Sequence, residues 1–557
     1  MLHAVTTASD GPRRGLLAAV GLACYRHRWA TIVAWLAGLA CLVTLWVQFG
    51  APADNNFGAA DPGQALLNAH FHRQSGDTLT LAIRSARPVD DPAVRSRVTA
   101  ALAPFAHARG VSHVASPYSS PGQISRDGHI AFAPVQFSVP SSEISAPEAT
   151  ALMHEATAAS GHGLTVSLGG DVVDAAETPY GGSSDGIGVA AAALVLLIAF
   201  GSLLAMSLPV VTALFGIGTG LSLIALIGHL IPAPAFGPIV ASMIGLGVGV
   251  DYALFIFSRF RDELRAAAPP QDALVTTMST AGRSVLTAGL TVAIGILGLL
   301  VLRQPLLNGV AVAAAVTVGM TVLAALTLLP ALLRCTGTRL MRPSRLRLPF
   351  LGRGGRESVR SGNEGRLALK WAAVVQRRPV IAALLAAGVI GVLAAPALGM
   401  KLSMPDESAQ ARGTMGYATY ATMADGFGPG FDAPLIVAAK LPGGGPGGAS
   451  VSTLAAAVRG TPGVAAVTAP VISPDGQAAL LIAYPATGEQ DPATDTLVNH
   501  LTGQVLPQAT AGTGVRAYLT GPNAGNVTFA NIIGQRLPWL IGIVIAVSMV
   551  LLTAVFR

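Results

Sequence analysis

The sequence predicts a polytopic α-helical membrane protein with two extracytoplasmic α+β domains, laid out as a tandem repeat whose second half stops early. Three observations predict it. Of 557 residues, 52% are apolar and only 11% charged, which for a chain of this length means several membrane spans and not one buried core. Runs of about twenty apolar residues recur along the chain. The long segments between them carry charge of opposite sign.

Eight apolar runs are expected to span: Thr31 to Phe49, Ile187 to Met206, Leu208 to Ile231, Phe236 to Phe257, Val285 to Leu302, Leu306 to Leu333, Val380 to Leu398 and Leu537 to Phe556. They divide the chain into a cytosolic N-terminus (1–30), a first span (31–49), an external domain (50–185), a bundle of spans two to six (186–333), a basic cytosolic linker (334–378), a seventh span (379–399), a second external domain (400–536) and an eighth span (537–557). The apolar core of the first run, about nineteen residues, is longer than the 7 to 15 of a cleaved signal peptide.

Between Arg334 and Arg378 stand twelve Lys or Arg against two acids, whereas Gly50 to Tyr180 holds seven basic residues against twelve acids. By the positive-inside rule the first segment is cytoplasmic, as are Arg13, Arg14, Arg26, Arg28, Arg259 and Arg261, so the N-terminus lies inside and both long domains outside. Arg303 alone falls on the wrong side. The basic linker reads as a topology signal that touches anionic lipid. It lacks the aromatic interleaving of a nucleic-acid surface. Cys24, Cys41 and Cys335 all map to the first span or the cytosolic side, which leaves the external domains without a disulfide framework.

Within the first external segment, Ala65 to Phe71, Pro92 to Ala106 and Pro147 to Ala159 pattern as helices, and Thr78 to Arg84, Ile130 to Val139 and Leu164 to Leu168 as strands. In the second, Leu435 to Lys440, Val464 to Val471, Ala478 to Tyr484 and Val515 to Leu519 pattern as strands, with helices over Ser450 to Arg459 and Asp495 to Leu506. Leu441 to Gly448 is a Gly/Pro loop. Arg342 to Gly365 has the composition of a disordered linker.

One unit is used twice. Tyr25-Arg26-His27-Arg28-Trp29 before the first span is echoed by Val375-Gln376-Arg377-Arg378-Pro379 before the seventh, an offset of 378 − 28 = 350. Gly169-Gly170-Asp171 is echoed by Thr520-Gly521-Pro522, an offset of 521 − 170 = 351. Val195 to Phe200 resembles Val550 to Val555, an offset of 355. The first unit continues through four more spans, while the second ends at Arg557. The expectation is therefore a truncated or split chain, with an eight-span protein as the alternative.

Asp251 carries most of the functional information. Phe236 to Phe257 contains no other charge, and at 1.5 Å per residue Asp251 lies roughly 12 Å before Arg259, within hydrocarbon. A carboxylate there costs at least about 2.5 to 3.5 kcal/mol, so such groups normally face a bundle interior and mark an ion or proton path. Burial disfavours the charged form and a neighbouring cation or hydroxyl favours it, so the group can take up and release a proton. Tyr252 can donate a hydrogen bond to a nearby carboxylate, and Gly245, Gly247 and Gly249 allow close helix packing at the relay. The alternative is a structural anchor to a span-five or span-six hydroxyl such as Thr287 or Thr291. The external histidines 70, 72, 107, 113, 129, 154 and 162 lack ligand spacing, so no metal is expected. Ser183-Ser184-Asp185 reads as a helix start. No Gly-x-x-x-x-Gly-Lys loop occurs, so neither a cofactor nor direct ATP use is expected.

Gly245-Leu-Gly-Val-Gly-Val-Asp251-Tyr252, the Ser258 to Leu264 exit, and Gly426-Phe-Gly-Pro-Gly430 with Ala433-Pro434-Leu435 resemble the actinobacterial MMPL branch of the resistance-nodulation-division transporters over essentially the whole chain. The resemblance implies a non-enzymatic, proton-motive-force-driven exporter of lipids or other hydrophobic molecules in the plasma membrane, with two external porter domains. It also implies that an Asp-Tyr pair in span four faces an equivalent pair in span ten. Asp251 and Tyr252 match the first pair; this sequence has no span ten. Implied partners are the cargo, protons, and a separate C-terminal half or a second copy. Two other readings stay open: an accessory role in protein export or sterol-like sensing, and a non-transporting product. Gly426 to Gly430 reads as a loop fixing the strand at Leu435, with substrate contact as the alternative.

Overall fold

A computed structural model describes residues 15–50, 62–71, 78–119, 122–139, 144–177, 182–200, 202–234, 236–336, 371–373, 375–399, 406–442 and 448–556. The expected linker Arg342 to Gly365 lies outside them.

The chain enters through a short helix, α1 (Leu16–Arg26), bent at His27 into α2 (Arg28–Phe49). α1 buries Ala18, Leu22 and Tyr25, and the Arg334 guanidinium stacks 4.9 Å from the Tyr25 ring, so this arm clasps the far end of the sixth span. After the first α+β domain come α7 (Gly182–Phe200), α8 (Leu203–Ile227), α9 (Gly237–Arg265), α10 (Pro270–Thr277), a π-helical turn Met278–Gly282, α11 (Arg283–Leu297) and α12 (Pro305–Thr336). α13 (Pro379–Ala394) buries none of its residues and exposes all but the half-buried Ala382.

Among the described residues seven helices are long and apolar enough to cross a membrane; the apolar stretch of α7, Gly186–Ile198, is shorter. The run expected over Ile187 to Met206 is therefore corrected. Ser202 is extended (φ −145°, ψ 124°) and ends it, and Met206 belongs to α8. Averaged hydropathy smooths over the Gly201-Ser202 pair at the break, which is the local signal for it. The fifth helix likewise begins at Pro270, well before the expected Val285.

Glycines set the bundle's tightest contacts. α8 presents Gly216 and Gly220 to Thr321 and Thr317 of α12, where a Cβ would meet Thr321 Cα at 2.6 Å and Thr317 Cα at 2.9 Å. The two threonines are fully buried and turn their hydroxyls back onto Val318 O and Ala313 O of their own helix. No polar group is thus left open in the tightest part of the core.

The first α+β domain consists of α3 (Pro62–His70), β1 (Thr78–Ser85), α4 (Pro92–Ala106), β2 (Val111–Val114), β3 (Ile130–Phe137), α5 (Ala146–Ala159), β4 (Leu164–Gly169) and α6 (Asp171–Glu177). Its antiparallel sheet runs β2-β3-β1-β4. The second contains α14 (Met415–Phe427), β5 (Leu435–Lys440), α15 (Gly448–Arg459), β6 (Val464–Val467), β7 (Val471–Ile472), β8 (Ala478–Pro485), α16 (Pro492–His500), a π-helical turn Leu501–Val505, α17 (Leu506–Thr510) and β9 (Arg516–Thr520), with sheet order β6-β8-β5-β9 and β7 on β8. From it α18 (Pro522–Phe556) runs unbroken through the last apolar run.

The alternating burial of β3 and β8 sends Ala131, Ala133 and Val135, and Ala479, Leu481 and Ala483, into the two cores. The opening helices are exchanged between the domains. Leu66 of α3 and Phe71 just after it pack against Ala438 and Ala478 of the second sheet, while α14 lies on β4, β1 and β3 of the first. Local patterning foresaw neither this exchange nor α14 itself.

Candidate functional site

Asp251 lies on α9 with one helix face packed and the other open. Gly245 and Gly249, one turn apart, meet Thr317 Cγ2 at 2.5 Å and Ala213 Cβ at 3.0 Å when a Cβ is placed on them, so both serve close packing against α8 and α12. Gly247 does not, because at about 100° per residue it points away from both and nothing lies within 4 Å of it. That corrects the expectation that all three glycines pack. Met243, Gly247, Asp251, Phe255 and Arg259, four apart, form a continuous exposed stripe.

The expectation that Asp251 faces a bundle interior is corrected in the same way: its face of α9 has no covering helix among the described residues. No hydrogen-bond or ion-pair partner of Asp251 occurs among them. Thr287 and Thr291 donate to Ser284 O (3.0 Å) and Thr287 O (2.8 Å) of their own helix, which removes the proposed anchor. Tyr252 is half-buried beside the fifth span, where a Cβ at Gly289 would collide with Val322 and meet the Tyr252 ring at 3.3 Å. The arrangement leaves an acid at mid-span beside a glycine that admits another backbone.

Two further features lay beyond sequence reasoning. The first is a joint of carboxylates where α14 meets α6. Glu177 accepts from Met415 N (2.6 Å) and Gly416 N (3.2 Å), and Gln410 Nε2 donates to Asp174 Oδ1 (2.7 Å). The Glu407 carboxylate sits over Gly169, where a Cβ would meet both its oxygens at 2.8 Å, and accepts the Gly170 N–H. Burial, then the neighbouring Asp432, Asp174 and Asp171 charges, pushes Glu407 up to about 9. Burial, then Asp406 and Asp174, pushes Asp432 up to about 6. The acids are visible in the sequence, but only the helix exchange brings those of residues 171–177 against those of 406–432.

The second is an aromatic bridge. Phe132 of β3 meets Phe427 edge-on (5.2 Å, 90°) and Phe431 at 4.9 Å, and Phe431 stacks on Tyr484 of β8 (5.0 Å, 4°). Gly426 lies against Ile130, and a Cβ at Gly430 would collide with the Pro485 carbonyl. The Gly426 to Gly430 motif is thus the last turn of α14 and the bend after it, placed at a joint between the two sheets, which its reading as a loop fixing the strand at Leu435 did not include.

A bundle of apolar helices closed by glycines, carrying two α+β domains of one plan, defines a multi-pass membrane protein. The MMPL family pattern matches residues 60–382 and 446–557, and the chain belongs to that family. Membrane protein YdfJ of Bacillus subtilis is 30% identical over 448 residues, covering 80% of this chain and 59% of its own. The mycolic acid-containing lipids exporter MmpL11 of Mycolicibacterium smegmatis is 32% identical over 374 residues, 65% of this chain and 38% of its own. The heme uptake protein MmpL11 of Mycobacterium tuberculosis (strain H37Rv) is 30% identical over 318 residues, 55% of this chain and 31% of its own. The chain thus spans between about a third and three fifths of the length of these relatives.

Proposed function

We propose that this protein takes part in proton-motive-force-driven export of lipids or other hydrophobic molecules across the plasma membrane, with Asp251 as the proton-carrying group and Tyr252 as its hydrogen-bond donor. In this reading the N-terminus is cytosolic, the α+β domains are extracytoplasmic porter domains, and the basic linker touches anionic lipid. The observation that carries it is the position of Asp251: mid-span, without a hydrogen-bond partner among the described residues, and beside the open Gly247. An unpartnered carboxyl in hydrocarbon is costly, and another polar helix or water reaching it relieves that cost. Gly247 is where such a helix could approach, whether from a second Asp-Tyr-bearing half or a second copy. Each proton crossing releases about 2.3 kcal/mol per 100 mV, enough to bias one repeat against the other.

Export of a mycolic lipid by one relative and heme uptake by another agree on an apolar or amphiphilic cargo and differ on direction. Export is preferred here on the family resemblance. The test is Asp251→Asn in the complete protein in its own cells, with surface lipid followed by pulse labelling. Loss of export at normal protein abundance is expected, as is the same loss on collapsing the gradient; export that survives the substitution removes Asp251 from the mechanism. A second reading is that the 557-residue chain does not transport by itself. Reconstitution of the 557-residue chain alone separates the two.

A further inference from the structure

Where α18 leaves the second α+β domain, it carries a buried amide with nothing to bond. Asn523 is 1% exposed, and neither its Nδ2 nor its Oδ1 has a partner among the described residues. Folded chains rarely leave both ends of a buried amide open unless water, an ion or a ligand completes them. Asn523 lines a cavity of about 60 Å³ between the flank of α18 and α16, together with Glu489, Asp495, Asn499, Asn526 and Asn531. One water needs roughly 10–15 Å³ of such space, so there is room for an ion and part of its hydration.

The wall chemistry is one-sided. Asn526 Nδ2 donates to Glu489 Oε1 at 2.7 Å and Asn531 Nδ2 to Asn499 Oδ1 at 3.0 Å, which commits these two amide nitrogens within the wall. Two carboxylates and no basic side chain line it.

The other α+β domain shows that the architecture does not require this. Gly170 and Gly521 both have positive φ (124° and 100°) and both open the helix after the last strand, so Val172 occupies the position of Asn523. There the groove against α5 is closed by Val172, Val173, Ala149 and Leu152, all buried and aliphatic. The same fold is dry in one repeat and oxygen-lined in the other.

We propose that the cavity binds a hard divalent cation of the calcium type, held by Glu489, Asp495 and amide oxygens that include Asn523 Oδ1, with residual water accepting from Nδ2. Calcium takes 6–8 oxygen ligands in flexible geometry, and amide carbonyls are among them. The cavity wall holds two carboxylates and neither His nor Cys, so the donor set does not suit a transition metal, and two carboxylates place affinity at the weak end, on the order of 10⁻⁴ to 10⁻³ M. The ion would tie α16 to the head of the membrane helix. This inference is independent of the proton-relay reading.

The test uses the 557-residue chain in detergent, titrated calorimetrically with CaCl₂ and followed by thermal unfolding against NaCl of equal ionic strength. Saturable binding with Kd near or below about 1 mM and a calcium-specific rise in unfolding midpoint are expected. Asn523→Val, which installs the first domain's residue, should keep the calcium-free midpoint and lose the rise. Asp495→Asn should weaken binding about tenfold or more. No saturable binding to the unmodified chain, an equal rise with NaCl, or unchanged affinity in either variant overturns the proposal; a hydrated cavity without an ion gives the first of these.

Discussion

The two α+β domains share their hairpin chemistry almost atom for atom and differ in what fills the groove beside the membrane. In the first, Ser125 Oγ donates to Asp127 Oδ1 and accepts from Ile130 N at 2.9 Å, with His129 N on Asp127 Oδ1 at 3.1 Å. In the second, Ser473, Asp475, Gln477 and Ala478 repeat this, with 2.9 Å and 3.1 Å for the same two bonds. Both edge pairs carry an irregular register, at Val111/His113 and at Val464/Ala466. The turns and strands that define the unit are thus copied, whereas Val172 and Asn523, at one position in the two units, are not. Scaffold and site have separated: backbone-defining residues recur, and groove-lining residues diverge.

The sharpest way to break this comparison is at the joint the domains share. Gly430→Ala forces a methyl against the Pro485 carbonyl, a backbone atom that cannot swing aside, and should lower stability by about 3 kcal/mol, read as a fall in the thermal unfolding midpoint. A midpoint unchanged by the substitution means the aromatic bridge does not fix one domain to the other. Next come the copied turns. Gly170→Ala and Gly521→Ala each place a side chain at positive φ and should cost about 1–3 kcal/mol apiece, by nearly equal amounts. Unequal losses would show that the two turns are not equivalent supports.

A smaller effect with a definite sign belongs to the acid joint. Because the folded pKa of Glu407 is raised, the folded chain binds more protons than the unfolded one between about pH 4.5 and 9, so stability falls as pH rises through that window. Asp432 adds to the fall between about 4 and 6. Glu407→Gln should therefore stabilise by roughly 1–2 kcal/mol at pH 8, with the gain shrinking toward pH 4.5, as followed by unfolding midpoints across pH. A gain that grew on acidification would contradict the burial that drives the shift. The smallest effect is expected at the Arg84–Asp425 pair, which links β1 to the exchanged α14 but is 44% and 63% exposed; Arg84→Ala should cost no more than about 0.5–1 kcal/mol in unfolding free energy.

Much of this was legible before any fold was in hand. The strands expected over Leu435 to Lys440 and Thr78 to Arg84 form as Leu435–Lys440 and Thr78–Ser85, and the helix over Pro92 to Ala106 has those same ends, with Asp91 capping it through Ala93 N at 2.9 Å. Period-two burial, Pro at a first turn and an Asp cap are all local signals. Asp251 was equally legible, because a lone charge in an apolar run needs no partner to be conspicuous. The face of Gly247 was not. Three glycines at alternate positions look alike in sequence, and which of them packs depends on where α8 and α12 lie.

The sequence by itself determined the membrane class, the repeat and the lone acid within an apolar helix, since each is written in composition or spacing that every residue carries locally. Tertiary structure alone decided that the opening helices trade places, that acids more than two hundred residues apart meet at Gly169, and that Asn523 is buried in oxygen while Val172 is buried in carbon. The physical reason is the range of the forces involved. Periodicity fixes which face of an element is apolar, but which partner covers that face follows from burial summed over elements far apart in the chain, and that sum exists only once they are packed.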